Sequence, residues 1–323
     1  MTTETDRAAA TKPRRLSRID PALRDAAAGL DIAEFRSESL PAERERAGRL
    51  AADRAAAVDV GTVDIDDIAI AGPGGQQLSL RLYRPAGTAA APLVLYAHSG
   101  GFVTGTLDTD HPECVELARE ADCLVVSVDY RLAPEHPCPA ALDDVEAALR
   151  YAIDNGASLN ADGGRVVVMG RDAGAALVAT LAQRTFDQEG PTILAQVLHQ
   201  PMLDADATPS RREFQLTPGL NGPAVSRAWA HYLGHSAATA GHVPAHRANL
   251  EGLPPAFISC AEIDPCRDEA IDYANRLLHA YVHTELHVVA ATFHGFDSVV
   301  PDWVVSRESV ALHAQTVRRS FAL

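Results

Sequence analysis

Apolar positions along the chain fall into short runs separated by helix-length segments. Runs 65–71 and 78–84 alternate apolar and polar residues, the pattern of antiparallel strands with one wet face. Runs 92–97, 123–128, 165–169, 193–199, 256–260 and 285–289 are almost continuously apolar, as strands are when helices cover both faces. Between them lie segments of helical length, 109–121, 140–155, 173–187, 267–280 and 304–320. This alternation predicts an α/β fold with an eight-stranded, mostly parallel sheet and helices on both faces.

Two regions break the rhythm. Before the first strand, residues 21–30 and 41–57 read as Ala- and Arg-rich helices. Later, residues 203–253 carry Pro, Gly and Ala around a short helical pattern at 224–233. The predicted organisation is N-terminal cap helices (1–57), a core (58–202 and 251–323) and a second cap segment (203–250). The cap would close over the carboxyl ends of the strands, where such sheets bind ligands.

Composition narrows the partners. A formal charge of −15 and a single lysine, Lys12, argue against nucleic acid, whose binding relies on clustered cations. The polar stretch Met1 to Leu16 lacks the apolar segment of a secretion signal, and no apolar run approaches a membrane span. Five cysteines without CxxC spacing suggest neither a disulfide framework nor a zinc site, so a cytoplasmic location is expected. His231 and His235, and likewise His242 and His246, are four apart but lack an accompanying carboxylate motif, so no metal is expected. No organic cofactor is implied, and a homodimer is left open.

The chemistry concentrates in four places. Val166 to Ala175 runs from a buried strand through Gly170-Arg171-Asp172-Ala173-Gly174 into a helix, the context of a G-x-S-x-G nucleophile elbow. Its small residues let strand and helix pack closely while the middle side chain is held exposed. Directly after a strand comes His98-Ser99-Gly100-Gly101, a turn able to aim backbone N–H groups at an oxyanion, with the Ala173 N–H as a third donor. Asp264 follows one late strand and His294 the next, giving the chain order nucleophile, acid, histidine of an α/β-hydrolase.

With Val128-Asp129-Tyr130-Arg131-Leu132-Ala133-Pro134-Glu135-His136-Pro137, Asp264 to Glu269 and His294-Gly295-Phe296 added, the chain resembles the hormone-sensitive-lipase-like branch of the α/β-hydrolases. These are the bacterial esterases and lipases marked by an HGGG turn, and the similarity runs from about residue 18 to the end. The resemblance implies His98 as the residue that stiffens the oxyanion turn, Gly100, Gly101 and Ala173 as oxyanion donors, and Asp264 and His294 as acid and base. Two departures stand out. Ser99 replaces the first glycine of HGGG, and where the family shows G-D-S-A-G this chain reads G-R-D-A-G, losing the serine and placing Arg171 beside Asp172.

A carboxylate attacking an acyl carbon forms a mixed anhydride, so ordinary ester hydrolysis through Asp172 is disfavoured. Attack on the sp³ carbon of an epoxide or alkyl halide instead gives a plain ester, which water activated by His294 and Asp264 could hydrolyse. That is the leading expectation, for a small or medium lipophilic substrate in a mostly apolar pocket. Tyr232 or Trp229 in the second cap segment would be the donor to the leaving group.

Three alternatives stay open: Asp172 as a general base in an elimination, isomerisation or cyclisation; an inactive homologue that binds a ligand; and a carboxylesterase using another nucleophile, with Ser99 the first to test. Arg171 is expected either to pair with Asp172 or to point into the sheet, the latter favoured. Asp129, Tyr130, Arg131 and Glu135 are expected to form a salt-bridge network under the site.

Overall fold

The structure is a computed structural model and describes residues 17–322; the polar stretch Met1 to Leu16 lies outside the described residues. Eight strands form one sheet: β1 (Val63–Ala71), β2 (Gln77–Pro85), β3 (Ala91–Ala97), β4 (Leu124–Val128), β5 (Ala161–Arg171), β6 (Ile193–His199), β7 (Ala256–Ile263) and β8 (Thr284–Phe293). Their order across the sheet is β1-β2-β4-β3-β5-β6-β7-β8. Only the pairings of β2 with β1 and with β4 are antiparallel. This is the α/β-hydrolase fold.

Seven longer helices are numbered here: α1 (Leu40–Ala56), α2 (His111–Ala121), α3 (Ala140–Asp154), α4 (Ala173–Asp187), α5 (Gly222–Leu233), α6 (Arg267–His279) and α7 (Val304–Ser320). The two-residue period of a strand divides the interior between the sheet's faces. Leu93, Leu95, Val166 and Val168 pack with Leu142 and Val145 of α3 and with Leu177 and Leu181 of α4. Val94, Tyr96, Val167 and Met169 point the other way, to Val115 and Ala118 of α2 and Ala314 and Val317 of α7.

The structure differs from the pattern in two instructive ways. Strands β5, β7 and β8 continue past their apolar runs to Arg171, Ile263 and Phe293, because backbone pairing carries them up to the site. Residues 285–289 read as a strand covered on both faces, yet β8 is the last strand of the sheet and stays half exposed along most of its length. Its Glu285 and His287 alternate with Leu286 and Val288, as on an edge strand.

The N-terminal residues and those between β6 and β7 meet each other above the strand ends. Ile32 bridges Gly219, the Ala33 N–H donates to the Gly219 carbonyl at 2.7 Å, and His231 Nε2 lies 2.9 Å from the Phe35 carbonyl. From α1, Arg44 donates to the carbonyls of Val103 and Ala133 and pairs with Glu135 at 2.7 Å. This ties the helix to the loop after β3 and to the segment after β4. The network expected among Asp129, Tyr130, Arg131 and Glu135 does not form as such among the described residues: Arg131 grips the buried Asp144, Glu135 faces α1, and the Tyr130 hydroxyl donates to the His98 carbonyl.

Candidate active site

Strand β5 ends at Arg171, and α4 begins at Ala173, leaving Asp172 alone at the apex with φ 53° and ψ −118°. A non-glycine residue in this region is strained and persists only where its surroundings over-determine it. Here the Asp172 N–H donates to the His199 carbonyl at 2.9 Å, and the Asp172 carbonyl accepts from the Met202 N–H at 3.1 Å. Close approach of helix to sheet completes the clamp. A Cβ on Gly174 would lie 2.0 Å from the Ala97 carbonyl oxygen, so only glycine fits there.

Across the sheet, the turn after β3 is locked from several sides. His98 stacks on Tyr130 with ring centroids 4.1 Å apart, the Tyr130 hydroxyl donates to the His98 carbonyl at 2.8 Å, and His98 Nδ1 lies 2.8 Å from the Ser99 carbonyl. Burial pushes the His98 pKa down. The Ser99 N–H and hydroxyl both donate to Asp110, so Ser99 is committed to holding the turn. Gly100 adopts φ 133°, a conformation open to glycine, and a Cβ there would meet the Thr104 carbonyl at 2.2 Å.

This geometry aims two backbone N–H groups at one point. Gly100 N–H donates at 3.0 Å and Gly101 N–H at 2.7 Å, both to Asp172 Oδ2. The elbow's own carboxyl group thus occupies the oxyanion hole. Ala173, the third expected donor, is not among the groups holding that oxygen. Asp172 Oδ1 is buried without a hydrogen-bond partner and lies 3.5 Å from His294 Nε2. Orphaned buried polar atoms are uncommon, and this one faces the imidazole.

His294 follows β8 and is oriented from behind. Its Nδ1 lies 2.9 Å from Asp264 Oδ2, while Asp264 Oδ1 accepts from the Cys266 N–H at 2.7 Å. The next residue, Gly295, donates its N–H to Gln200 Oε1 at 2.6 Å. Burial lowers the His294 pKa, but the negative charges of Asp264 and Asp172 and the Asp264 hydrogen bond outweigh it, and the net shift is upward. Asp172, Asp264 and His294, expected together from chain order, are brought together.

Arg171 turns away from Asp172. Its Nη2 lies 2.5 Å from Asp297 Oδ1 and its Nη1 3.9 Å from Glu113 Oε2. His199 Nε2 also faces Asp297 at 3.0 Å, and its Nδ1 continues through Ser259 to His313 and so to Glu113. Burial lowers the His199 pKa to about 4, so that ring is neutral near pH 7. Burial works against the Asp297 and Glu113 charges, but Arg171 and the imidazoles reverse it. Asp297 falls well below the usual carboxylate range and Glu113 to about 2.

One expectation needs correction. Tyr232 and Trp229 do not line the cleft that holds Asp172; Tyr232 stacks on Phe102 at 4.1 Å and Trp229 packs against the same ring at 4.9 Å. They form an aromatic cluster behind the oxyanion turn, as the helical spacing of core residues on α5 allows. The cleft, of about 230 Å³, is lined by Ala33, Phe35, Leu220 and Val299 together with Arg54, Asp110, Arg171 and Ser298.

Several site residues escaped sequence reasoning. Asp297 could have been noticed, standing three residues after His294, whereas Phe35, Arg54 and Leu220 come from segments whose placement depends on the tertiary fold. Two clusters have metal-ligand chemistry among the described residues, Asp264-Cys266-His294 and Asp204-Asp206-His246. In the first, Asp264 and His294 already pair with each other.

The fold and this arrangement of elbow, oxyanion turn and Asp-His pair define an α/β-hydrolase. The sequence profile of a family described as alpha/beta hydrolase fold matches residues 94–298, and the chain belongs to that family, in its hormone-sensitive-lipase-like esterase branch. Its sequence is 43% identical to Esterase LipI of Mycobacterium tuberculosis over 237 residues, 71% of this chain and 74% of that protein. Carboxylesterase NlhH of the same species is 41% identical over 212 residues, 64% of this chain and 66% of the other.

Among solved structures, esterase LipW from Mycobacterium marinum superposes with a TM-score of 0.92 at 44% identity, covering 95% of this chain and 98% of that one. A bacterial heroin esterase does so with a TM-score of 0.90 at 34% identity, covering 95% and 99%. Among the described residues, no helix is long and apolar enough to cross a membrane.

Proposed function

We propose that this chain hydrolyses carboxylic esters of small to medium, largely lipophilic substrates, with water as the attacking group and His294, oriented by Asp264, as its general base. The observation that carries the proposal is the position of His294 Nε2. It lies 3.5 Å from Asp172 Oδ1, a carboxyl oxygen where the elbow motif would offer a hydroxyl, so the imidazole has no side-chain hydroxyl to deprotonate there and water is the group left for it to activate. Support for the substrate class comes from the relatives, which are named as esterases and carboxylesterases. Without a serine at the apex, the attacking oxygen has to come from elsewhere.

In this mechanism the substrate carbonyl must enter the hole that Asp172 Oδ2 fills. Hydrogen bonds to charged groups are worth about 1.5–3 kcal/mol each, and two hold the carboxyl group in place. Turnover is therefore slow beside that of a serine nucleophile.

The occupied hole favours a second reading. Asp172 Oδ1 would attack an sp³ carbon, a C–O or C–halogen bond would break, and the new ester on Asp172 would already have its carbonyl oxygen between Gly100 and Gly101. Water deprotonated by His294 would then add to Asp172 Cγ and release an alcohol or diol. This reading stands second because an epoxide oxygen needs a proton donor, and Tyr232 and Trp229 do not line the cleft.

One experiment separates them. Single turnovers of p-nitrophenyl butyrate and of styrene oxide in ¹⁸O-labelled water are followed by mass analysis of the products and of the peptide containing Asp172. Direct attack places label in butyrate alone, with activity surviving Asp172→Asn and lost in His294→Ala. Label in the peptide makes Asp172 the nucleophile. No turnover of esters, epoxides or haloalkanes leaves an inactive homologue that binds a ligand.

A further inference from the structure

We propose that Arg54 is the anchor for an anionic group on the substrate, so that the preferred ester carries a free carboxylate, as the half-ester of a dicarboxylic acid does. The inference deepens the ester-hydrolase reading and rests on it for the reaction, but recognition by Arg54 can be tested without turnover.

Arg54 sits in the last turn of α1 and lines the cleft together with Ser99, Gly100, Asp172 and His294. The helix carries three other arginines, and each has a partner: Arg44 faces Glu135, Arg46 faces Asp31 and Arg49 faces Glu45. Arg54 makes no side-chain hydrogen bond or ion pair with the described residues. A guanidinium offers five N–H donors in a fixed fork suited to a carboxylate, and here all of them are uncommitted.

The other charges of the cleft are already engaged. Arg171 is held by Asp297 and Glu113, and His294 lies between Asp264 and Asp172. Asp110, the acidic side chain on the same stretch of lining, accepts both the N–H and the hydroxyl of Ser99. An anion entering the cleft also finds the oxyanion hole filled by Asp172 Oδ2. Arg54 is thus the uncommitted cation of this cleft among the described residues.

Arg54 is exposed at the cleft's edge, and desolvation of its inner part and the positive charge of Arg171 outweigh the attraction of Asp110 and lower its pKa, a net cost that a bound anion relieves. The chain as a whole, at −15, repels anions, so attraction must come from a local group. At about 230 Å³ the cleft lies below the range of about 300–1,000 Å³ typical of drug-sized ligands, which limits the partner to a small acid.

The test is isothermal titration of the full chain at pH 7.5 with 3-phenylpropanoate and 3-phenylpropanamide, an anion and its neutral near-isostere. The wild type is expected to bind the acid about tenfold more tightly than the amide, the scale of one charge-assisted contact. Arg54→Gln should bind the two alike, and Arg54→Lys should keep part of the preference. A wild type that binds both equally, or fails to bind the acid, overturns the proposal, as does a preference that survives in Arg54→Gln. Failure of the ester-hydrolase reading is seen separately, in the isotope experiment.

Discussion

Arg171 Nη2 lies 2.5 Å from Asp297 Oδ1, so although Arg171 and Asp172 both line the cleft, the guanidinium is bound to a buried acid while the Asp172 carboxyl group faces the oxyanion turn and His294. Two adjacent residues on a strained turn thus belong to different environments.

The Arg171 guanidinium is the main cation that lets Asp297 stay charged in a buried site, and it adds to the His313 contact that holds Glu113 charged. Arg171→Met should therefore destabilise the fold by about 3–5 kcal/mol, the usual cost of removing one partner from a buried pair. The midpoint of urea unfolding measures it. Adding Asp297→Asn should recover part of the loss, because the carboxylate left unpaired is then neutral. A loss below about 1 kcal/mol would place the pair among surface-like contacts.

Asp172→Ser should turn the site into a conventional acyl-transfer centre. The hydroxyl would meet His294 Nε2, and the Gly100 and Gly101 N–H groups would be freed for a substrate carbonyl. Against p-nitrophenyl butyrate, kcat/KM should rise at least about a hundredfold, the low end of what a positioned base contributes. Restoring the acidic neighbour as well should fail: Arg171→Asp would set a third carboxylate beside Asp297 and Glu113. An unchanged rate in Asp172→Ser would mean that His294 does not serve the apex position.

The pKa of His294 is raised because Asp264 and Asp172 outweigh its burial. As a base it works only when neutral, so the acid limb of the pH–rate profile should lie above the ordinary histidine value of about 6.5. Asp172→Asn removes one of the two charges and should move the limb to lower pH, which ¹⁵N shifts of the imidazole report independently of turnover. For stability the sign runs the other way. The contribution is fully present below about pH 6.5 and is lost as pH rises through the folded value. An imidazole titration unmoved by Asp172→Asn would contradict this account.

Sequence pattern was enough for what depends on neighbours along the chain. The two-residue period of β3 and β5, the small residues around Asp172 and the glycines after His98 each answer a local steric demand. Asp264 and His294 could be placed because chain order on this fold fixes which strand ends converge. What escaped depends on contacts distant in sequence. Arg171 and Asp297 meet across 126 positions; Phe35 reaches the cleft held by Glu43 and His231, and Arg54 reaches it from the end of α1, which Arg44 ties to the loop after β3. Tyr232 and Trp229 show the opposite error: aromatic residues in a segment expected to cover the site were given its chemistry, when Phe102 supplied a nearer partner.

The strained apex keeps its φ and ψ without help from the side chain it carries, since the clamp is made of backbone bonds to His199 and Met202. Position 172 is therefore a mounting point whose occupant can be exchanged. All five native thiols are buried, so Asp172→Cys would add the one sulfur that opens onto the cleft. A fluorophore or a synthetic catalyst attached there would sit beside a ready-made imidazole and a pair of aligned amides.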